Sequence, residues 1–142
     1  MKLVFLMLGK TRGAEARATL EDYTKRISRS CQVEILEVRN EDAALKRLDS
    51  DRSAHPFLLD AAGKSMDSSQ FAKWLGGQRD TGTREVIFVC GDADGFPESL
   101  RNRVPQKLSL SPMTFSHELA RVMLAEQVYR AFAILSGSPY PK

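Results

Sequence analysis

Cysteine and histidine are scarce: 142 residues contain two of each, Cys31, Cys90, His55 and His117. They form no C-x-x-C pair and no Cys/His ligand spacing, which argues against a disulfide framework and a metal site and toward a reducing cytoplasm. Long apolar runs are missing too. None approaches the ~20 residues of a membrane span, so no membrane association is expected. The opening "MKLVFLMLGK" holds an early lysine and a short apolar stretch with no small-residue cleavage site after it, and reads as a strand rather than a leader. Absent as well are G-x-S-x-G and H-E-x-x-H, which leaves a hydrolase reading without a nucleophile. There is no internal repeat, low-complexity segment or interdomain linker. Neither sign of charge dominates, with 21 basic against 18 acidic residues and a net charge of +3. That balance permits an anionic partner such as RNA without demanding one.

What is present is an alternation. Apolar runs of strand length occur at Leu3 to Leu8, Val33 to Val38, Phe57 to Leu59, Val86 to Cys90 and Lys107 to Leu110. Helical periodicity separates them at Glu15 to Ile27, Glu41 to Leu48, Ser68 to Leu75, Pro97 to Val104 and Glu118 to Leu135. Asp67 with Gln70 has the spacing of a capping box, Pro97 suits a first helical turn, and Ser116 suits an N-cap. The length and pattern imply one α/β domain over residues 1–142, with a mostly parallel sheet covered on both faces.

Ligands of open α/β sheets collect beyond the carboxyl ends of strands. The loops there are "DAAGK", "CGDADGFP" and "SPMTFS". In the first, a strand ends at Asp60 and the chain turns at Gly63. The second is neither G-x-G-x-x-G nor a P-loop. Its two aspartates suit a positively charged ligand better than a pyrophosphate, although Gly91 and Gly95 could equally serve a tight turn while Asp92 or Asp94 caps a helix. The third carries no charge from Leu108 to Ser116. It is either core packing under a short loop, or a buried loop whose main chain hydrogen-bonds an adenine edge while Leu110, Met113 and Phe115 flank the ring. The helix after it is apolar nearly all round, so a second subunit is expected to cover one side, at residues such as Val122 and Phe132. Glu126 and Arg130 have i, i+4 ion-pair spacing, while Arg121 and Arg130 are placed where phosphate could be gripped.

Taken together, "MKLVFLMLGK", "LLDAAGKSMDSSQFA", "VIFVCGDADGF" and above all "LSLSPMTFSHELARVMLAEQVYRAFAI" resemble the RlmH (YbeA-type) SPOUT methyltransferases over essentially the whole chain. The resemblance implies an α/β fold with a C-terminal trefoil knot, a homodimer, and S-adenosylmethionine as methyl donor. It also implies methylation at N3 of a pseudouridine in 23S rRNA within the ribosome. Carried onto matching positions, the donor should touch Leu59, Gly91, Leu110, Ser111, Pro112, Met113, Thr114 and Phe115, and His117, Arg130 and Tyr140 should orient the base or assist its deprotonation.

Three positions depart from the family pattern. Asp92 replaces the second of two adjacent glycines, at a site that asks for φ > 0. Ser116 replaces a proline, and Pro141 replaces the histidine of a terminal Tyr-His. The alternatives are a donor- and ribosome-binding homologue with impaired turnover, and a small-ligand α/β module that binds no RNA.

Overall fold

The strand Lys2–Leu8 (β1) is apolar from its second residue onward and lies between two partners. It pairs in parallel with Gln32–Val38 (β2) on one side and with Glu85–Cys90 (β4) on the other. The strand His55–Ser65 (β3) lies beyond β4, and Lys107–Ser109 (β5) closes the edge, giving an all-parallel order β2-β1-β4-β3-β5. The computed structural model describes residues 1–140. β1 and β4 are buried on both faces, which is why they read as unbroken apolar runs rather than alternating ones.

Alternation along β1 still sorts its side chains. Leu3, Phe5 and Met7 face one helical layer, with Phe5 stacked on Phe88 of β4 at 5.6 Å between ring centroids. Val4, Leu6 and Leu8 face the other. The first layer is formed by Ala14–Ile27 (α1), Ser68–Asp80 (α3) and His117–Ser136 (α5), with α5 packed against both of the others. The second is formed by Glu41–Asp49 (α2) and Glu98–Arg103 (α4), which bury Ala44, Leu48 and Leu100. In α5 the buried set Leu124, Ala125, Val128, Ala131 and Phe132 has the spacing of one helical face.

The helix ends follow local chemistry. Asp67 and Gln70 make the full capping box on α3, and the Ser116 hydroxyl accepts from the Leu119 N–H at the start of α5. α5 ends at Gly137, whose φ of 72° is the left-handed C-cap.

The sequence pattern errs in three places. α3 does not stop at Leu75 but runs through Gly76 and Gly77 to Asp80. A Cβ on Gly76 would come 2.9 Å from a terminal methyl of Leu135 in α5, so the glycine eases the close approach of the two helices. β3 does not turn at Gly63 but continues to Ser65 across a register shift between Leu59 and Lys64, because β5 offers it a pairing edge. Finally, neither Asp92 nor Asp94 caps α4, whose N-cap is Pro97.

Gly63 is required by close approach. A Cβ there would lie 2.6 Å from the Lys107 carbonyl carbon and 2.7 Å from the Leu108 nitrogen, both backbone atoms that cannot move aside. Gly63→Ala should therefore cost about 1–3 kcal/mol of stability through overpacking. Gly77→Ala, at a helical position with nothing within 4 Å, should stabilise by roughly 0.5–1 kcal/mol. Urea denaturation of the two variants checks the pair, and equal effects would refute the packing argument.

Candidate functional site

The carboxyl ends of β3, β4 and β5 enclose a cavity of about 460 Å³. Three segments far apart in sequence, joined by Arg101 of α4, build it: Leu59 to Ala61, Cys90 to Phe96, and Leu110 to Ala120. Of the residues assigned to a methyl donor by family resemblance, Leu59, Gly91, Leu110, Ser111, Met113, Thr114 and Phe115 line it, and Pro112 does not. The volume is within the usual range for a small-molecule site.

Each wall has a local cause. The loop after β4 is a tight turn in which Asp92 Oδ1 accepts from the Asp94 N–H at 2.9 Å and the Asp92 carbonyl accepts from the Gly95 N–H at 3.0 Å. The left-handed residue is Gly95, with φ of 80°, and among the described residues no non-glycine has positive φ. Asp92 thus occupies the family's glycine position without strain, contrary to the sequence-based expectation. Gly91 is constrained differently. An added Cβ would meet the Gly95 carbonyl oxygen at 2.9 Å, so the glycine is demanded by the turn's own backbone.

The charge-free loop after β5 is not packed into the core. Pro112, Met113 and Thr114 are exposed, Met113 at 70%, whereas Leu110, Ser111 and Phe115 are half-buried against the cavity. Ser109 Oγ donates to the Ser111 carbonyl at 2.8 Å, and Ser111 Oγ accepts from the Met113 N–H at 3.0 Å, which holds the loop's first half. The main-chain groups of Thr114 and Phe115 meet no main-chain partner among the described residues. Polar backbone beside Leu59, Leu110 and Phe115 is suited to a flat heteroaromatic ring.

The third wall was not legible locally. Asp60 of β3 and Arg101 of α4 pair at 3.0 Å and both line the cavity, and the Arg101 guanidinium also lies over the Phe96 ring. The Ala62 N–H, and then Arg101, hold the Asp60 carboxyl below the usual carboxylate range, so it stays ionised. Cys90 lies in the floor with its thiol pushed up by burial to about 12, which excludes it as a nucleophile.

The candidate catalytic residues divide. His117, the first residue of α5, lines the cavity. Arg130 and Tyr140 form a separate cluster. Arg130 Nη2 donates to Glu126 Oε2 at 2.7 Å, Tyr140 Oη donates to the same oxygen at 3.0 Å, and the guanidinium lies 4.8 Å from the Tyr140 ring centroid. Burial first, then hydrogen bonds with Tyr23 and Glu126, push the Tyr140 phenol well above its ordinary range. Tyr140 is therefore a neutral donor. Thirteen residues separate His117 from Arg130 on one helix, about 20 Å along its axis, so a single chain does not unite them. Pro141 and Lys142, the altered end of the family pattern, lie outside the described residues.

Two further expectations change. Arg121 grips no external phosphate: it is fully buried, with its guanidinium turned to the main chain. Phe132 is a core residue at 6% exposure, so the exposed apolar face of α5 is marked instead by Leu119 and Ile134, at 50% and 44%. Among the described residues, no group of three or more His, Cys, Asp or Glu could hold a metal ion, and no helix is long and apolar enough to cross a membrane.

A parallel sheet with a cavity at the carboxyl ends of its strands, walled by an acidic turn and a charge-free loop, is the architecture of an α/β small-ligand enzyme. Residues 1–141 match the family described as "Predicted SPOUT methyltransferase", and the chain belongs to that family. It is 42% identical over 151 residues to ribosomal RNA large subunit methyltransferase H of Pelobacter propionicus, covering 99% of each chain. It is 40% identical over 142 residues to the protein of the same name from Koribacter versatilis, covering 99% of this chain and 97% of that one. Among solved structures it resembles the SpoU methyltransferase AviRb from Streptomyces viridochromogenes, determined in complex with AdoMet. The TM-score is 0.55 at 9% identity, over 92% of this chain and 57% of that one, a likeness of fold.

Glu118 provides a pH-dependent test of how α5 is seated. Its carboxylate accepts from the main-chain N–H groups of Arg12 and Gly13, which serves α1 where Gly13 offers no side-chain cap. These bonds, Arg12 first, lower its pKa. A lowered folded pKa gives stability that is complete above the unfolded value, about 4.3 for glutamate, and lost as pH falls through the folded value. Glu118→Gln should therefore lose less thermal stability than wild type between pH 7 and pH 3. Parallel acid profiles would refute the role.

Proposed function

We propose that the protein is a single-domain, cytoplasmic, S-adenosylmethionine-dependent methyltransferase that acts on N3 of a pseudouridine in 23S rRNA within the ribosome. What carries this reading is the convergence of Leu59, Gly91 and the Leu110 to Phe115 loop on one cavity, in a chain similar over its full length to ribosomal RNA large subunit methyltransferases. The trefoil knot implied by the family resemblance belongs to the same reading.

The residues present fit the donor. Leu59, Leu110 and Phe115 would flank its adenine, and the ionised Asp60 with the acidic 91–95 turn suits its cationic groups. Bound there, the donor supplies an electrophilic methyl on a sulfonium; the acceptor nitrogen loses its proton as it takes the methyl. The chain's own task is to align the two partners and lower the cost of that deprotonation. His117 at the cavity is placed to orient the base or receive its proton. Arg130 and Tyr140 offer positive charge and a neutral hydrogen-bond donor, both oriented by Glu126.

We further propose a homodimer along α5, supported by the exposure of Leu119 and Ile134 and by the separation of His117 from the Arg130 cluster. A second copy is what can carry Arg130 and Tyr140 toward the other chain's cavity. The missing tail histidine supports the alternative of an impaired homologue, and activity decides between them.

Purified protein should transfer labelled methyl from S-adenosylmethionine to ribosomes that lack the modification, with the product located by mass spectrometry of the rRNA. No transfer, and no rescue by Pro141→His, would overturn the function; strong rescue alone would favour the impaired homologue. Arg130→Ala should lower kcat by about 10², the usual loss for a positioned electrostatic donor, with donor affinity unchanged. Leu119→Asp combined with Ile134→Asp should convert the dimer to a folded monomer in sedimentation. A wild-type monomer at micromolar concentration would refute the assembly.

A further inference from the structure

Arg121 is among the largest fully buried side chains of the protein, at 0% exposure, and it is charged. Its Nη1 donates to the Gly9 carbonyl at 3.1 Å and to Thr11 Oγ1 at 3.0 Å. Its Nη2 donates to the Leu8 carbonyl at 2.6 Å and to the Gly91 carbonyl at 3.3 Å. No carboxylate is among these acceptors, and Nε has no partner. Burying a cation with no carboxylate bonded to it is costly even with Glu118 near enough to feel its charge, and an apolar side chain of similar size would fill the space more cheaply. What only a guanidinium does is join several acceptors from different strands in one rigid fork.

Those acceptors lie at one place in the topology. β1 and β4 pair as far as Met7 and Cys90 and then part: Gly9 turns its N–H to Val38 of β2, while Gly91 enters the acidic turn. β1 leads through α1 to one side of the sheet and β4 through α4 to the other, so their carboxyl ends form the switch-point crevice where open α/β sheets ordinarily take ligand. Here the Arg121 guanidinium fills that crevice and satisfies the carbonyls the parting strands would orphan. The cavity opens instead on the β3 and β5 side. Gly91 is constrained from both directions: its carbonyl is held by Arg121, and the Gly95 carbonyl leaves no room for a Cβ on it. Ala120, the residue before Arg121, lines the same cavity.

We infer that Arg121 is a positioning residue for the methyl-donor pocket: by bolting the end of β1 to the Gly91 carbonyl, it sets the wall against which the donor lies. The inference rests on the donor site proposed above. Its expected consequence is selective, because the guanidinium contacts Leu8, Gly9, Thr11 and Gly91 and none of His117, Arg130 and Tyr140, the residues proposed to handle the base.

The test compares wild type with Arg121→Lys, Arg121→Met and Thr11→Val for S-adenosylmethionine affinity by calorimetry and for KM toward donor and ribosomes. Lysine cannot reach both strands, so Arg121→Lys should bind donor about tenfold more weakly, the loss of one charged hydrogen bond, and Arg121→Met more weakly still. Thr11→Val removes a single contact without touching α5 and should weaken donor binding roughly threefold, even where the arginine variants do not fold. KM for ribosomes should not change, a split that general loss of structure would not produce. Wild-type donor affinity in folded Arg121→Lys or in Thr11→Val overturns the inference, as does an equal rise in both KM values. Failure of the wild-type protein to bind S-adenosylmethionine at all would overturn the donor site itself, and the inference with it.

Discussion

The parallel pairing of β1 with β4, buried on both faces, is the constraint on which the rest depends. Because both faces must be apolar, helices are required above and below, and the chain supplies three on one side and two on the other. Because the two strands send their connections to opposite faces, their carboxyl ends must part, and parting strands expose carbonyls that need partners. α5 crosses beneath that point with Arg121. The same helix that completes the core thereby completes the floor beneath the cavity, which ties the site's geometry to the packing of Leu124, Val128 and Phe132.

Polar groups near the cavity sort by solvent access. Asp60 remains a carboxylate because a main-chain N–H and Arg101 hold it. Cys90, one strand away, is a thiol because burial outweighs the pull of the nearby Arg121 charge. Tyr140 stays neutral for a related reason, strengthened by the Glu126 carboxylate it donates to. Electrostatic work at this site therefore falls to Asp60, the acidic turn and Arg101, with the His117 imidazole beside them at the cavity.

Much of this was visible in the chain itself. The five strands, the five helices, the capping box at Asp67 and the N-cap at Ser116 follow from periodicity and local hydrogen-bonding chemistry, which act over a few residues. A loop without charge is anomalous in its letters alone, and it lines the cavity. Boundaries failed where a distant partner decided them: β3 runs past Asp60 because β5 is beside it, and α3 runs past Leu75 where α5 packs against it.

The sequence alone determined which segments are strands and which are helices, the covering of the sheet on both faces and three loops worth searching, since these depend on neighbours in the chain. Only the tertiary structure decided what each polar residue does. It gave the left-handed position to Gly95 rather than Asp92, paired Asp60 with Arg101 across 41 residues, and turned Arg121 inward while leaving Arg130 in a half-buried cluster with Glu126 and Tyr140. Two arginines nine residues apart on one helix look alike as letters; they differ because one meets the carbonyls of a parting sheet and the other meets a carboxylate one turn away, and that distinction exists only once the strands are assembled.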